Sequence, residues 1–183
     1  MWRNSQDRYG AISILLHWLA AAMILGLFGL GLWMVDLTYY DDWYRAAPNV
    51  HKGVGVLLFL LLAFRIAWRL MDPPPRPEPG LGRVERRASS LVHALLYVLL
   101  FATLVSGYLI STADGRAIEV LGLFAVPATV TGLPNQADTA GDAHLALAIA
   151  VISLAVLHAL AALKHHFVDR DRTLLRMLGR RAR

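Results

Sequence analysis

Four stretches of this chain run without a charged residue for long enough to cross, or nearly cross, a lipid bilayer: Ala11–Val35, Gly53–Phe64, Ala88–Ala113 and Ala143–Leu163. A hydrocarbon core about 30 Å thick asks for about 20 helical residues at about 1.5 Å each. The second stretch is short. It reaches a full span if 50–52 and 65–70 sit at the interfaces, where long basic side chains reach the headgroups. The expected helices therefore cover approximately 11–35, 50–70, 88–113 and 143–167, with an outer loop over 114–142, all in a single membrane domain 1–183. The first run is too long for a signal-peptide core and has no small-residue cleavage site, so it is expected as a retained helix. Residues 120–137 are also uncharged, but Gly122, Pro127, Gly132 and Pro134 interrupt them. Such breakers leave backbone groups unsatisfied in lipid, which predicts an interfacial or partly buried loop.

The rest of the composition agrees with an all-α membrane protein built as a four-helix bundle. Hydrophobic residues make up 57% of the chain against 17% charged, a balance far more apolar than a globular domain of this length carries. Tryptophans and tyrosines such as Trp2, Trp33, Tyr39, Tyr40, Trp43, Tyr44 and Trp68 flank the apolar runs as an interfacial belt does. The absence of cysteine excludes disulfides, cysteine-ligated zinc, iron–sulfur clusters and covalent c-type haem. Any redox chemistry must use histidine ligands or bound organic cofactors.

Charge sets the expected topology. If both termini and residues 65–87 share one side, that side holds 15 of the 18 lysines and arginines, leaving Arg45, Lys52 and Arg116 opposite. Both termini are then expected in the cytoplasm. This clustering beside membrane segments also accounts for the net charge of +5 without a nucleic-acid partner. Asp36, Asp41, Asp42, Asp114, Glu119, Asp138 and Asp142 leave the opposite side formally acidic. Asp72–Gly80, rich in proline, is a stiff connector after the second helix.

Five of the seven histidines, His17, His51, His93, His144 and His158, lie within or at the ends of the apolar runs. An ionisable group is costly there and is usually functional, although any one of them alone could simply bond a neighbouring helix. His144 and His158 are 14 residues apart, so they share one helix face about 21 Å apart along the axis. His51 begins the descending second helix at the level of His144, and His17 lies early in the first helix at the level of His158. Two cross-helix pairs are expected: His51 with His144, and His17 with His158. Imidazole is a good axial ligand for haem iron, and a bundle can hold the flat ring. Two isolated pairs would make incomplete zinc sites. Gly26, Gly29, Gly31, Gly53, Gly55 and Gly107 offer room for a planar ring, or ordinary close helix packing.

The chain resembles the bacterial cytochrome b561 family. The likeness rests on Arg8-Tyr9-Gly10, Leu16-His17-Trp18, His51-Lys52-x-x-Gly55, Arg65-x-x-x-Arg69 and His93-x-x-x-Tyr97. It continues through His144, His158-Ala159-x-Ala161-Ala162-Leu163-Lys164-His165-His166-Phe167 and Asp171-x-Thr173-Leu174-Leu175-Arg176-Met177. The resemblance implies a bundle enclosing two b-type haems, with His17, His51, His144 and His158 as iron ligands and ubiquinone as electron acceptor, in a bacterial inner membrane. The family includes a superoxide:ubiquinone oxidoreductase. The histidine layout is also similar to that of haem-binding membrane subunits of formate dehydrogenases and hydrogenases.

Cations near each level could pair with haem propionates: Lys52 and Arg45 at the outer one, Arg65, Arg69 and Lys164 at the inner one. For Arg65, Arg69 and Lys164, positive-inside anchoring is an equal alternative. His93 is left over after pairing and could compete with His17, line a quinone pocket, deliver a proton to reduced quinone or hydrogen-bond inside the bundle. His165 and His166, at the cytoplasmic interface beside Lys164, are expected to be solvated rather than haem ligands. Two functions follow. One is oxidation of superoxide with electrons passing to ubiquinone, in which Arg45, Lys52 and Arg116 form a local positive patch for the anion, Lys52 is the catalytic cation and His93 serves the quinone. The other is an electron relay for a separate periplasmic dehydrogenase or redox protein, which the acidic outer loops would suit.

Overall fold

The computed structural model describes residues 1–78 and 80–180; Pro79 of the connector and Arg181 and Arg183 of the basic tail lie outside the described residues. Four long helices dominate: α1 (Ala11–Met34), α2 (Ala46–Met71), α3 (Arg83–Thr112) and α4 (Gln136–Phe167). A hairpin of β1 (Ile118–Val120) and β2 (Phe124–Val126) lies between α3 and α4, and a short α5 (Thr173–Met177) follows α4. Each of the four helices is long and apolar enough to cross a membrane, and only 6 to 11% of its most apolar part is buried by protein. So much apolar surface would be unstable in water and suits hydrocarbon.

The helices outrun the apolar runs that announce them, because their ends are polar. In α3 the start moves back from residue 88 to Arg83: Glu85 Oε2 accepts the Gly82 N–H at 3.0 Å and caps the first turn. In α4 it moves back from residue 143 to Gln136. There Gln136 Nε2 donates to the carbonyls of Leu109 and Val130, each at 3.0 Å, while its Oε1 accepts from Leu133 N–H at 3.2 Å. Asp138, which interrupts the apolar pattern, stands in the first turn, where the helix dipole favours an anion. α2 begins at Ala46 rather than residue 50, with Pro48 in its first turn, where no intrahelical N–H is required. The breaker-rich segment carries no spanning helix, as expected, but part of it is strand.

Two compact units divide the chain. The first comprises Met1–Ala20, Leu61–Tyr97 and the described part of Ser153–Arg183. Its polar end is knitted by side chains from three segments. Asn4 N–H donates to Asp72 Oδ2 at 2.9 Å, its Nδ2 donates to the carbonyls of Asp72 and Pro73, and its Oδ1 accepts from Gly10 N–H at 2.8 Å. Gly10 admits no side chain, since a Cβ there would lie 2.3 Å from the Trp2 carbonyl oxygen. Arg176 is buried and donates to Glu78 Oε1 at 3.1 Å and to the Arg76 carbonyl at 3.0 Å. Trp18 Nε1 donates to the Met177 carbonyl at 3.0 Å. These bonds dock α5 and the N-terminal segment against the proline connector.

The second unit comprises Ala21–Leu60 and Val98–Ile152. Its loop is fastened to the end of α3 by Tyr108, whose hydroxyl donates to the Pro127 carbonyl at 2.9 Å and accepts from Thr129 N–H at 2.8 Å. Ile118 and Val120 of β1 are buried, with Val120 at 0% exposure. The hairpin is therefore packed down on one side.

Asn4 should be a measurable anchor. Asn4→Ala removes three side-chain hydrogen bonds, to the carbonyls of Asp72 and Pro73 and from Gly10 N–H, and is expected to destabilise the protein by about 1–3 kcal/mol. Denaturation in detergent reads this, and protease should cut the first ten residues sooner than in the parent protein.

Candidate haem-binding site

Each unit contains one histidine pair. In the first, the His17 ring from α1 faces the His158 ring from α4, with centres 6.4 Å apart and planes at 74°. In the second, His51 from α2 faces His144 from α4, at 6.1 Å and 71°. All four rings are half-buried. Two imidazoles bound on opposite sides of one metal, at about 2 Å per metal–nitrogen bond, have ring centres about 6 Å apart. Both pairs meet that spacing. The donor set is imidazole alone, which suits axial ligation of a b-type haem.

Hydrogen bonds orient the rings. His144 Nδ1 lies 2.9 Å from the Thr103 carbonyl and 3.1 Å from Ser106 Oγ, which itself donates to the same carbonyl at 2.8 Å. A carbonyl only accepts, so Nδ1 carries the ring proton and Nε2 keeps a free lone pair, the usual state of a metal-binding histidine. His51 Nδ1 is buried without a hydrogen-bond partner among the described residues. Two glycines seat these rings. A Cβ at Gly107 would lie 3.1 Å from His144 Cε1, and one at Gly31 would lie 3.2 Å from His51 Cε1. The expected room for a planar ring is, at these two positions, room for the ligand imidazoles. Gly53 instead faces Leu121, while a Cβ at Gly26, Gly29 or Gly55 would meet no protein atom within 4 Å.

The first pair is dressed differently. Arg65 Nη2 lies 3.1 Å from His17 Nδ1, and Arg65 Nε donates to the Tyr97 hydroxyl at 2.9 Å. A guanidinium only donates, so Nδ1 of His17 is the accepting nitrogen. The neutral ring then carries its proton on Nε2, the opposite tautomer to that of His144. His93 packs edge-on against His158 with ring centres 5.1 Å apart. That is closer than the His17–His158 pair and too close for opposite sides of one metal, so His93 is a neighbour of the pair.

Among the other expected cations, Arg69 is exposed and has no side-chain hydrogen bond among the described residues. Arg45 is also exposed. Lys164 pairs with Asp169 at 2.8 Å and Glu85 at 3.4 Å. His165 is packed rather than solvated. Its side chain is 17% exposed, and its Nδ1 stands 2.8 Å from an Asp171 oxygen and 3.0 Å from an Asp169 oxygen.

Lys52 is half-buried, makes no ion pair among the described residues, and lines a cavity of about 550 Å³ together with Asn49, Ser111, Arg116, Glu119 and Leu121. Arg116 is bound to Asp114 by a side-chain hydrogen bond at 2.7 Å. That bond holds the Asp114 carboxyl below the usual carboxylate range and raises Arg116 above its ordinary value. The pair is therefore lost only as pH falls through the lowered Asp114 value, and near neutrality Arg116 stays compensated. Lys52 is left without an ion pair among the described residues, in a cavity that the Glu119 carboxylate also lines.

Thr103, Ser106 and Tyr97 are the contributors that sequence reading missed as site residues. Hydroxyl groups spaced along an otherwise apolar span were the available signal.

Residues 8–180 match the family described as prokaryotic cytochrome b561. The chain is 52% identical over 177 residues to cytochrome b561 homolog 2 of Escherichia coli K12, covering 97% of this chain and 94% of that protein. It is similar to the probable superoxide oxidase CybB of Yersinia pestis at 29% identity, with 95% and 97% covered. It is also similar to cytochrome b562 of Cereibacter sphaeroides at 31% identity, with 96% and 98% covered. With four apolar helices and histidine pairs spaced for haem, the chain belongs to the prokaryotic cytochrome b561 family and is a multi-pass, b-haem electron-transfer membrane protein.

Proposed function

We propose that this protein holds two b-type haems, one on His17 and His158 and one on His51 and His144, and oxidises superoxide with ubiquinone as electron acceptor in a bacterial inner membrane. Both termini are cytoplasmic in this reading. The observation that carries it is the pair of ring separations, 6.4 and 6.1 Å, each between histidines of two membrane helices. Haem so ligated supplies reversible one-electron chemistry between ferric and ferrous iron. Two superoxide ions become two molecules of oxygen, and the two electrons with two protons convert ubiquinone to ubiquinol.

The chain's own residues bind, orient and move protons. Thr103 fixes the tautomer of His144, and Gly107 and Gly31 let the helices approach the rings. Arg65, held by Tyr97, steadies His17. Lys52, the residue after His51, attracts an anionic donor into the cavity that it lines with Arg116 and Glu119. His93, packed on His158, is suited to bond a quinone carbonyl and relay a cytoplasmic proton. The likeness to a probable superoxide oxidase supports the donor.

In a ligand series, His158→Ala should lose the haem of the first pair preferentially and His51→Ala that of the second, read as haem per chain and reduced absorption spectra. Two normal haems in His158→Ala would refute the pairing. His93→Ala should keep both haems and slow their reoxidation by a ubiquinone analogue; loss of haem there would make His93 a ligand instead.

Lys52→Gln should slow haem reduction by superoxide roughly threefold to tenfold and flatten its dependence on salt, both haems being retained. Neutralising the exposed Arg45 should matter less. Haem that superoxide does not reduce, but that a basic redox protein reduces at a rate weakened by neutralising Asp41 or Asp42, would replace the oxidase reading with that of a relay subunit.

A further inference from the structure

The turn of the β1–β2 hairpin is built against local preference. Leu121 and Gly122 have φ of +51° and +75°, and Leu123 N–H closes the turn on the Val120 carbonyl at 2.9 Å. Turns with positive φ at both central positions normally take Asn-Gly or Asp-Gly. A leucine there is sterically disfavoured, so something around it must hold it. The holder is Gly53, one residue after Lys52 and two after His51. Gly53 is buried, and a Cβ on it would lie 3.1 Å from Leu121 Cδ2 and 3.3 Å from the Leu121 backbone nitrogen. A Cβ at 53 would press the turn outward by a few tenths of an ångström. Behind the turn, Ile118 and Val120 are buried and root β1, while the register pairs Val120 with Phe124.

This strained contact stands at the cavity that contains Lys52. Arg116, Glu119 and Leu121 form its loop side, and Asn49, Val50 and Lys52 form its α2 side. We infer that the hairpin is a size filter at this cavity, with Leu121 pinned on Gly53 as the residue that restricts Lys52 and the neighbouring His51 to small donors. The inference rests on the reading of the cavity as the entry for a small anion. A volume of about 550 Å³ accepts a few-atom anion or a compact organic molecule and leaves no room for the surface of a folded protein. Withdrawing the leucine side chain, or lifting the turn off Gly53, should open the cation to larger molecules while leaving the histidines in position.

The chain has two lysines, Lys52 and Lys164, so the filter is directly readable in the haem-loaded protein. Amines are acylated with acetic anhydride or with a bulky sulfonated N-hydroxysuccinimide ester, and each site is quantified by peptide mass spectrometry. Leu121→Asn keeps a residue that tolerates positive φ and shortens the side chain; Gly53→Ala pushes the turn away. Both should raise the bulky-to-small labelling ratio at Lys52 severalfold and leave that at Lys164 unchanged. An unchanged Lys52 ratio in Leu121→Asn with its haem spectrum intact would overturn the filter, as would an equal rise at both lysines. Superoxide reduction of the parent protein, measured in parallel, tests the donor alone: its failure removes the oxidase reading while the labelling ratios still decide the filter.

Discussion

An imidazole inside a membrane-spanning helix has no water to bond and must find a partner within the protein or a metal. That constraint explains the arrangement of the whole chain. Each of four histidines meets a histidine of another helix at a separation suited to axial ligation, and polar neighbours attend to Nδ1 at two of the four rings, those of His17 and His144. The helices in turn accept small residues where a ring lies against backbone, at Gly31 and Gly107. A Cβ at either seat would press on the His51 or His144 ring by a few tenths of an ångström.

Much of this was legible in the residues. Charge-free length announced the four helices, because a charge at the bilayer centre is too costly to leave unexplained. The interval between His144 and His158 placed them on one face of α4, and both expected partners are opposite them. Less legible were the ends. Apolar length says nothing of a polar first turn, so the caps by Glu85 and Gln136, and the real starts of α3 and α4, came only with tertiary contacts. Arg65 was readable as a cation near the inner level, but its attachment to His17 through a Tyr97 clamp depends on side-chain direction. The solvation expected for His165 was wrong because Asp169 and Asp171 turn back onto it after α4 ends.

Electrostatics separates the two pairs. His144 donates from Nδ1 to a carbonyl, whereas His17 receives a guanidinium at the same atom. Second-sphere groups of this kind tune a metal through its ligand, so the two sites are chemically distinct even though their ligand sets are the same. The acidic outer loops also look different once ion pairs are counted. Arg116 is paired with Asp114, and the remaining cation, Lys52, stands in a cavity with Glu119. A local field, not the net charge of the loops, governs what an anion meets there.

The central claim is that the four membrane histidines bind two haems in bis-imidazole pairs. Haem quantified per chain on the purified parent protein, together with low-temperature electron paramagnetic resonance of its oxidised form, tests this most directly. The account predicts two haems per chain, both low-spin, with two resolvable signals because His17 and His144 have different Nδ1 partners. One haem per chain, or a high-spin signal from an iron with an open axial position, would contradict it.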